Sequence, residues 1–191
     1  MTYIALGILG FLIIRLFDFV SLKRIPLAKP LTWGAGSGLL GYGVVMASLT
    51  GDRLPLPAWS MWPGWLLLIA SLLLLIHSLF INLPFRRTYI TTGVGERLIT
   101  TGLYALVRHP WLYGFSLFML SLILVSRSSL MLIAAPIWIT LDILLVVIQD
   151  RFFLGRMFPG YKKYRQATPM LVPSRKSVVA FIGCLRQAKA K

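Results

Sequence analysis

Five apolar stretches, at residues 3–20, 31–50, 63–81, 111–126 and 129–148, divide the chain, and each is long enough to cross a bilayer or nearly so. The chain is 58% hydrophobic and 13% charged, with a mean hydropathy of +0.80. A water-soluble domain of 191 residues has too little interior to hide that much apolar surface, so lipid must cover part of it. The expected fold is therefore an all-α integral membrane protein of about five transmembrane helices, ending in a cytoplasmic helix and tail. The fourth stretch is short for a span and is read as starting inside a protein-lined cavity. The first has no small-residue cleavage site after it, which reads as an anchor rather than a removed signal peptide. No linker separates a soluble part. ITTG recurs at 90–93 and 99–102, too briefly to make a structural repeat. One membrane domain over 1–191 is expected, with a three-helix part at 1–81, a core at 82–175 and a basic tail at 176–191.

The net charge of +15 is distributed unevenly. With the N-terminus outside, the inner side holds Lys23, Arg24 and Lys29 in the first loop and Arg86, Arg87, Arg97 and Arg108 in the third. It also holds all ten basic residues from Arg151 onward. The outer loops hold only Arg53 and Arg127, and Arg15 lies within the first helix. This is the positive-inside pattern, and it places a multi-pass protein in a membrane of the bacterial or archaeal plasma type, N-terminus outside and C-terminus in the cytoplasm. The basic tail is read as facing anionic lipid headgroups rather than nucleic acid, with residues 177–186 forming a short amphipathic helix on the membrane surface. Cys184 is the only cysteine, which excludes a disulfide within the chain and a cysteine-based metal cluster. With two histidines besides, no metal site is expected. GVGERL at 93–98 lacks the third glycine and the βαβ setting of a dinucleotide loop.

Two segments on the inner side carry the chemistry. In the first, residues 103–115, LYALVRHPWLYGF, lead from the third loop into the fourth apolar stretch. Pro110 suits the first position of a helix, where its missing N–H costs nothing and its φ is preset. His109 then falls at the cap, and the free N–H groups beside Arg108 suit a carboxylate or phosphate. Snorkelling of Arg108 and His109 to lipid headgroups is the other reading open at this point. The second segment, residues 148–175, has Gln149 and Asp150 at the membrane exit, Tyr161 and Tyr164 three apart on a helix, and Pro169 and Pro173 ending it.

Together, LITTGLYALVRHP with its following glycine and the Gln-Asp, Tyr, Tyr, Pro, Pro series resemble the isoprenylcysteine carboxyl methyltransferase and phospholipid methyltransferase superfamily, over roughly residues 98–175. The resemblance implies a small integral-membrane enzyme that transfers a methyl group from S-adenosylmethionine to a hydrophobic or lipid-like acceptor. It implies Asp150, Arg108 and His109 as catalytic residues. The cofactor would be held by Arg108, His109, Pro110, Tyr113, Gly114, Gln149, Asp150, Tyr161 and Tyr164, with Asp150 meeting its cationic part and the tyrosines closing the cytoplasmic side. Two positions depart from the family pattern. Tyr113 stands one place later than the family tyrosine, a rotation of about 100° around a helix. Gln149 and Asp150 replace two adjacent glutamates, keeping one carboxylate.

Asp142, inside the fifth stretch, shares a face with Gln149. It is a candidate for the acceptor tunnel or for a base; a structural hydrogen bond or protonation within the bundle is the alternative. Arg15 and Asp18 are read as a local pair, His77 as an interhelical hydrogen-bonder, Pro136 as a kink and the six tryptophans as interfacial belts. Two other functions compete with methyl transfer: a sterol-reductase-type membrane reductase using NADPH, and a non-catalytic lipid-binding or transport-associated protein on the same scaffold. S-adenosylhomocysteine should bind to the first of the three readings, NADPH to the second and neither to the third.

Overall fold

The computed structural model describes residues 1–83, 86–93 and 98–189; Arg97 and most of GVGERL lie outside the described residues. Five longer helices occupy the five apolar stretches: α1 (Thr2–Lys23), α2 (Ala28–Leu49), α3 (Met61–Ile76), α5 (Pro110–Ser126) and α6 (Ser129–Ile148). Four shorter helices lie between and after these: α4 (Leu103–Leu106), α7 (Leu154–Met157), α8 (Tyr161–Ala167) and α9 (Arg175–Lys189). Wider π turns extend α3 over His77–Ile81 and α6 over Gln149–Phe153. Among the described residues there is no β-strand, only one isolated bridge between Arg53 and Ser128.

Three helical stretches are long and apolar enough to cross a membrane: Thr2–Lys23, Ala58–Ile81 and Ser129–Met157. Pro110–Ser126 is apolar but shorter, as its sequence indicates. The outward faces are greasy. Leu66 of α3 is 72% exposed and Leu73 is 63% exposed, a surface that suits hydrocarbon and not water.

Helices α1 and α2 form a tight hairpin because small residues line the seam. A Cβ on Gly36 would lie 2.8 Å from the Gly10 carbonyl oxygen, and one on Gly10 would lie 2.7 Å from the Leu40 amide nitrogen. Backbones this close exclude any side chain larger than hydrogen, the packing that holds helices together where the solvent is itself apolar. Helix α6 stands against this hairpin. Trp138 is fully buried and its Nε1–H donates to the Ile4 carbonyl at 3.2 Å, so the indole fixes α6 on α1. Phe11 and Phe115 meet edge to face at 5.5 Å, joining α1 to α5. Met119, Met131, Ala134 and Ala135 complete the core.

Some sequence expectations need correction. The His77 side chain is exposed and makes no interhelical hydrogen bond among the described residues; its carbonyl accepts from Asn82 and closes the π turn after α3. The tryptophans do not all form belts. Trp59, Trp62 and Trp65 lie exposed on the outside, whereas Trp138 is core and Trp33 and Trp111 line an internal cavity.

Candidate functional site

Helix α5 begins at Pro110 with His109 as its N-cap, as the sequence suggests, and Gly102, at φ 62°, turns the chain into the short α4 that precedes it. This places Arg108 and His109 facing the π turn that carries Asp150. Arg108 Nε and one terminal nitrogen meet the two Asp150 carboxylate oxygens, each at 2.9 Å. The other terminal nitrogen donates to the carbonyls of Arg165, at 3.1 Å, and Thr168, at 2.7 Å. His109 Nε2 stands 3.2 Å from Asp150 Oδ1, and the Tyr161 hydroxyl donates to the same oxygen. Arg165 approaches the second oxygen at 3.8 Å. One carboxylate thus gathers four side chains, two from the residues that lead into α5 and two from α8.

Burial sets the protonation of the groups around it. It lowers the His109 pKa, so the imidazole is neutral at pH 7, and it raises the Tyr161 and Tyr164 pKa values, keeping both phenols protonated. A neutral His109 facing an anionic carboxylate carries its proton on Nε2. Nδ1 then holds a lone pair and has no partner among the described residues.

Beside this cluster lies a cavity of about 560 Å³. Arg108, His109, Tyr161 and Tyr164 line one end, with Tyr104, Trp111 and Phe158; Phe11, Ile14, Leu40, Leu75 and Phe115 line its apolar walls. Asp150 does not line it. The sequence reading set Asp150 against the cationic part of a cofactor, but its carboxylate is 2% exposed and turned to Arg108, His109 and Tyr161. It positions the residues that form the wall.

Other expected site residues are dispersed. Gln149 faces away from its neighbour Asp150, and its Nε2 donates to Asp18 of α1 at 2.9 Å. Successive residues on a helix point about 100° apart, and the wider π turn still splits the pair between two clusters. Tyr113 is 41% exposed and bonds the Leu171 carbonyl outside the cavity. Arg108 N donates to the Pro169 carbonyl at 3.0 Å, so the chain after α8 packs over the mouth of α5, where the sequence reading set an open anion site. Gly114 serves packing: a Cβ there would meet the Leu75 amide nitrogen at 3.0 Å, which brings α5 against α3. Pro110 is buried at the helix start. Asp142 is fully buried, lines the cavity and lies 3.6 Å from Arg15, which also pairs with Asp18 at 3.5 Å.

The sequence reading missed three contributors. Tyr104 donates to the Ser78 carbonyl at 3.1 Å and accepts through its own carbonyl from Tyr164 at 2.6 Å, tying α3, α4 and α8 together. Its position four residues before Arg108 was the available signal. The Arg165 and Thr168 carbonyls are backbone groups, which sequence does not single out. The third is α1, whose Arg15, Asp18 and Ser21 form part of the cavity wall. Among the described residues no group of three or more potential metal ligands comes together. Comparison of the chain with protein-family models, with curated proteins and with solved structures finds no match.

Proposed function

We propose that this protein is a membrane-embedded methyltransferase that moves a methyl group from S-adenosylmethionine to a hydrophobic, lipid-like acceptor. One observation carries the reading: side chains from both motif segments (Arg108, His109, Tyr161, Tyr164) line one cavity together with apolar side chains such as Phe11, Leu40, Leu75 and Phe115. The cavity volume falls within the range typical of small-molecule sites, roughly 300–1,000 Å³. The residues present fit the cofactor. Tyr104, Trp111 and Phe158 offer aromatic surface for a purine, and the unpartnered Nδ1 of His109 offers a hydrogen-bond acceptor. When bound, S-adenosylmethionine supplies an electrophilic methyl group for in-line displacement.

The chain's own contribution is positioning and exclusion of water. Asp150 and Tyr161 hold the imidazole in one orientation and one tautomer. The acceptor's hydrocarbon part lies along Leu40, Leu75 and Phe115. The finer topology belongs to the same proposal: five crossings, N-terminus outside, C-terminus cytoplasmic. The positive-inside distribution supports it. So does α9, where Val178, Val179, Ile182 and Leu185 lie exposed at one-face spacing suited to the lipid surface.

A non-catalytic lipid-binding role is favoured by one specific observation. Arg108 has four of its five N–H donors bound inside the protein, leaving little with which to clamp a cofactor carboxylate. Incubation of the purified protein with methyl-labelled S-adenosylmethionine and a membrane lipid extract separates the two. Methyl transfer predicts label in the organic phase that is lost in His109→Ala. Absence of label above a protein-free control, with folded protein, favours the binding role.

A further inference from the structure

A second polar group lines the cavity, between α1 and α6: Arg15, Asp18 and Ser21 from α1, and Asp142 and Gln149 from α6 and its π turn. Asp18 is engaged, accepting from Gln149 Nε2 at 2.9 Å and facing Arg15 at 3.5 Å. Asp142 is not. It is 0% exposed, and neither carboxylate oxygen has a hydrogen-bond partner among the described residues. Its nearest cation is Arg15, at 3.6 Å. Arg15 Nε and Ser21 Oγ are likewise unpartnered. One guanidinium is therefore shared between two carboxylates, and with both ionised the cluster carries one negative charge and two open acceptor atoms. Lys29, also on the cavity wall, is turned to the carbonyls of Thr91 and Gly93.

A buried acceptor left without a donor is costly, and a buried charge without a partner more so. The ligand chemistry that meets these groups is a compact cation with several N–H donors. An ammonium has three donors and no acceptor, which suits the two bare oxygens of Asp142. A phosphate or carboxylate head would add a third negative charge, and an alcohol would leave the charge unbalanced. The neighbouring walls, Phe11, Phe17, Trp33 and Leu40, suit a hydrocarbon chain. We propose that Asp142 anchors a binding site within the membrane for an amphiphilic primary amine, its ammonium head on Asp142 and its chain along these walls. This goes beyond methyl transfer and does not depend on it, since neither Asp142 nor Arg15 belongs to the Arg108 cluster.

The test titrates full-length protein in maltoside detergent at pH 7.5 with decylamine, butylamine, decanol and decanoate, following tryptophan emission and thermal stability. Alkylamines titrate near lysine, at about 10.4, and so are charged under these conditions. Decylamine should bind and stabilise; decanol and decanoate should bind at least about tenfold more weakly, the loss of a charge-assisted contact. Weak binding of butylamine assigns the site to a chain-bearing amine; equal binding would overturn that assignment. Asp142→Asn should weaken decylamine by a similar factor, and Arg15→Gln, which removes the competing cation, should strengthen it. Decanol binding as tightly as decylamine, or wild-type affinity in Asp142→Asn, overturns the proposal. If Asp142→Asn does not fold, the wild-type comparison of amine with alcohol and the direction of the Arg15→Gln change decide it. S-adenosylhomocysteine binding, measured alongside, reports separately on the cofactor reading.

Discussion

Arg108 and Asp150, 42 residues apart in sequence, meet side-on, with Nε and a terminal nitrogen each 2.9 Å from one carboxylate oxygen. The pair joins the start of α5 to the end of α6, and the remaining bonds of Arg108 reach the end of α8. Both side chains are nearly inaccessible, at 7% and 2% exposure, so solvent screens the contact little. Removing one partner strands the other. Arg108→Ala and Asp150→Asn should each destabilise the protein by about 3–5 kcal/mol, the usual result of breaking a buried pair. Arg108→Lys should fail to rescue, because an ammonium cannot reproduce the forked geometry. Thermal unfolding in detergent checks this; single variants with unchanged midpoints would contradict it.

His109 predicts a pH dependence. Burial lowers its pKa in the folded protein, so the unfolded chain binds the proton more readily. Stability from this group is complete above the unfolded value of about 6.5 and declines as pH falls below it. The wild type should lose more stability than His109→Gln between pH 7 and pH 5. Parallel acid profiles for the two proteins would contradict the assignment of a neutral imidazole.

Gln149 gives a prediction opposite to the family pattern. A glutamate there would restore a second carboxylate, but the structure turns this side chain onto Asp18. Gln149→Glu loses a donor and sets two carboxylates together, which should cost about 1–3 kcal/mol of stability. Asp18→Asn added to Gln149→Glu returns a donor and an acceptor to the contact and should recover most of the loss. A Gln149→Glu protein as stable as wild type would contradict the Asp18 contact.

The seam between α1 and α2 predicts a steric effect. Gly36→Ala would press a methyl against the Gly10 carbonyl at 2.8 Å, where neighbouring backbone has no room to give. Overpacking of this kind costs about 1–3 kcal/mol. Gly38→Ala, on the same helix with open space around it, serves as the control and should be neutral or stabilising.

Much of the fold was legible because continuous apolar runs can only be buried in lipid or core, and Pro110 marks the start of α5 by its own geometry. The cluster of Arg108, His109 and Tyr161 around Asp150 was legible as a set, since charged and phenolic side chains at a membrane exit need partners. The roles within it were not. Whether Asp150 faces a cavity or stands behind its neighbours depends on the rotation of a π turn, which hydropathy does not encode. Adjacent residues Gln149 and Asp150 read as one motif, yet a helical backbone sends them to different partners. The contribution of α1 was hidden for a similar reason. Arg15 and Asp18 satisfy a local i, i+3 pairing, and only tertiary packing shows that Asp142 shares their cation.

Calorimetric titration of the detergent-solubilised protein with S-adenosylhomocysteine, with NADPH as the comparison, bears most directly on the proposed function. The wild type should bind S-adenosylhomocysteine and not NADPH. His109→Ala should weaken binding by about tenfold, the value of a buried hydrogen bond to a polar ligand, while Tyr113→Phe, outside the cavity, should leave it unchanged. Folded wild-type protein that does not bind S-adenosylhomocysteine, or that binds NADPH in its place, would contradict it.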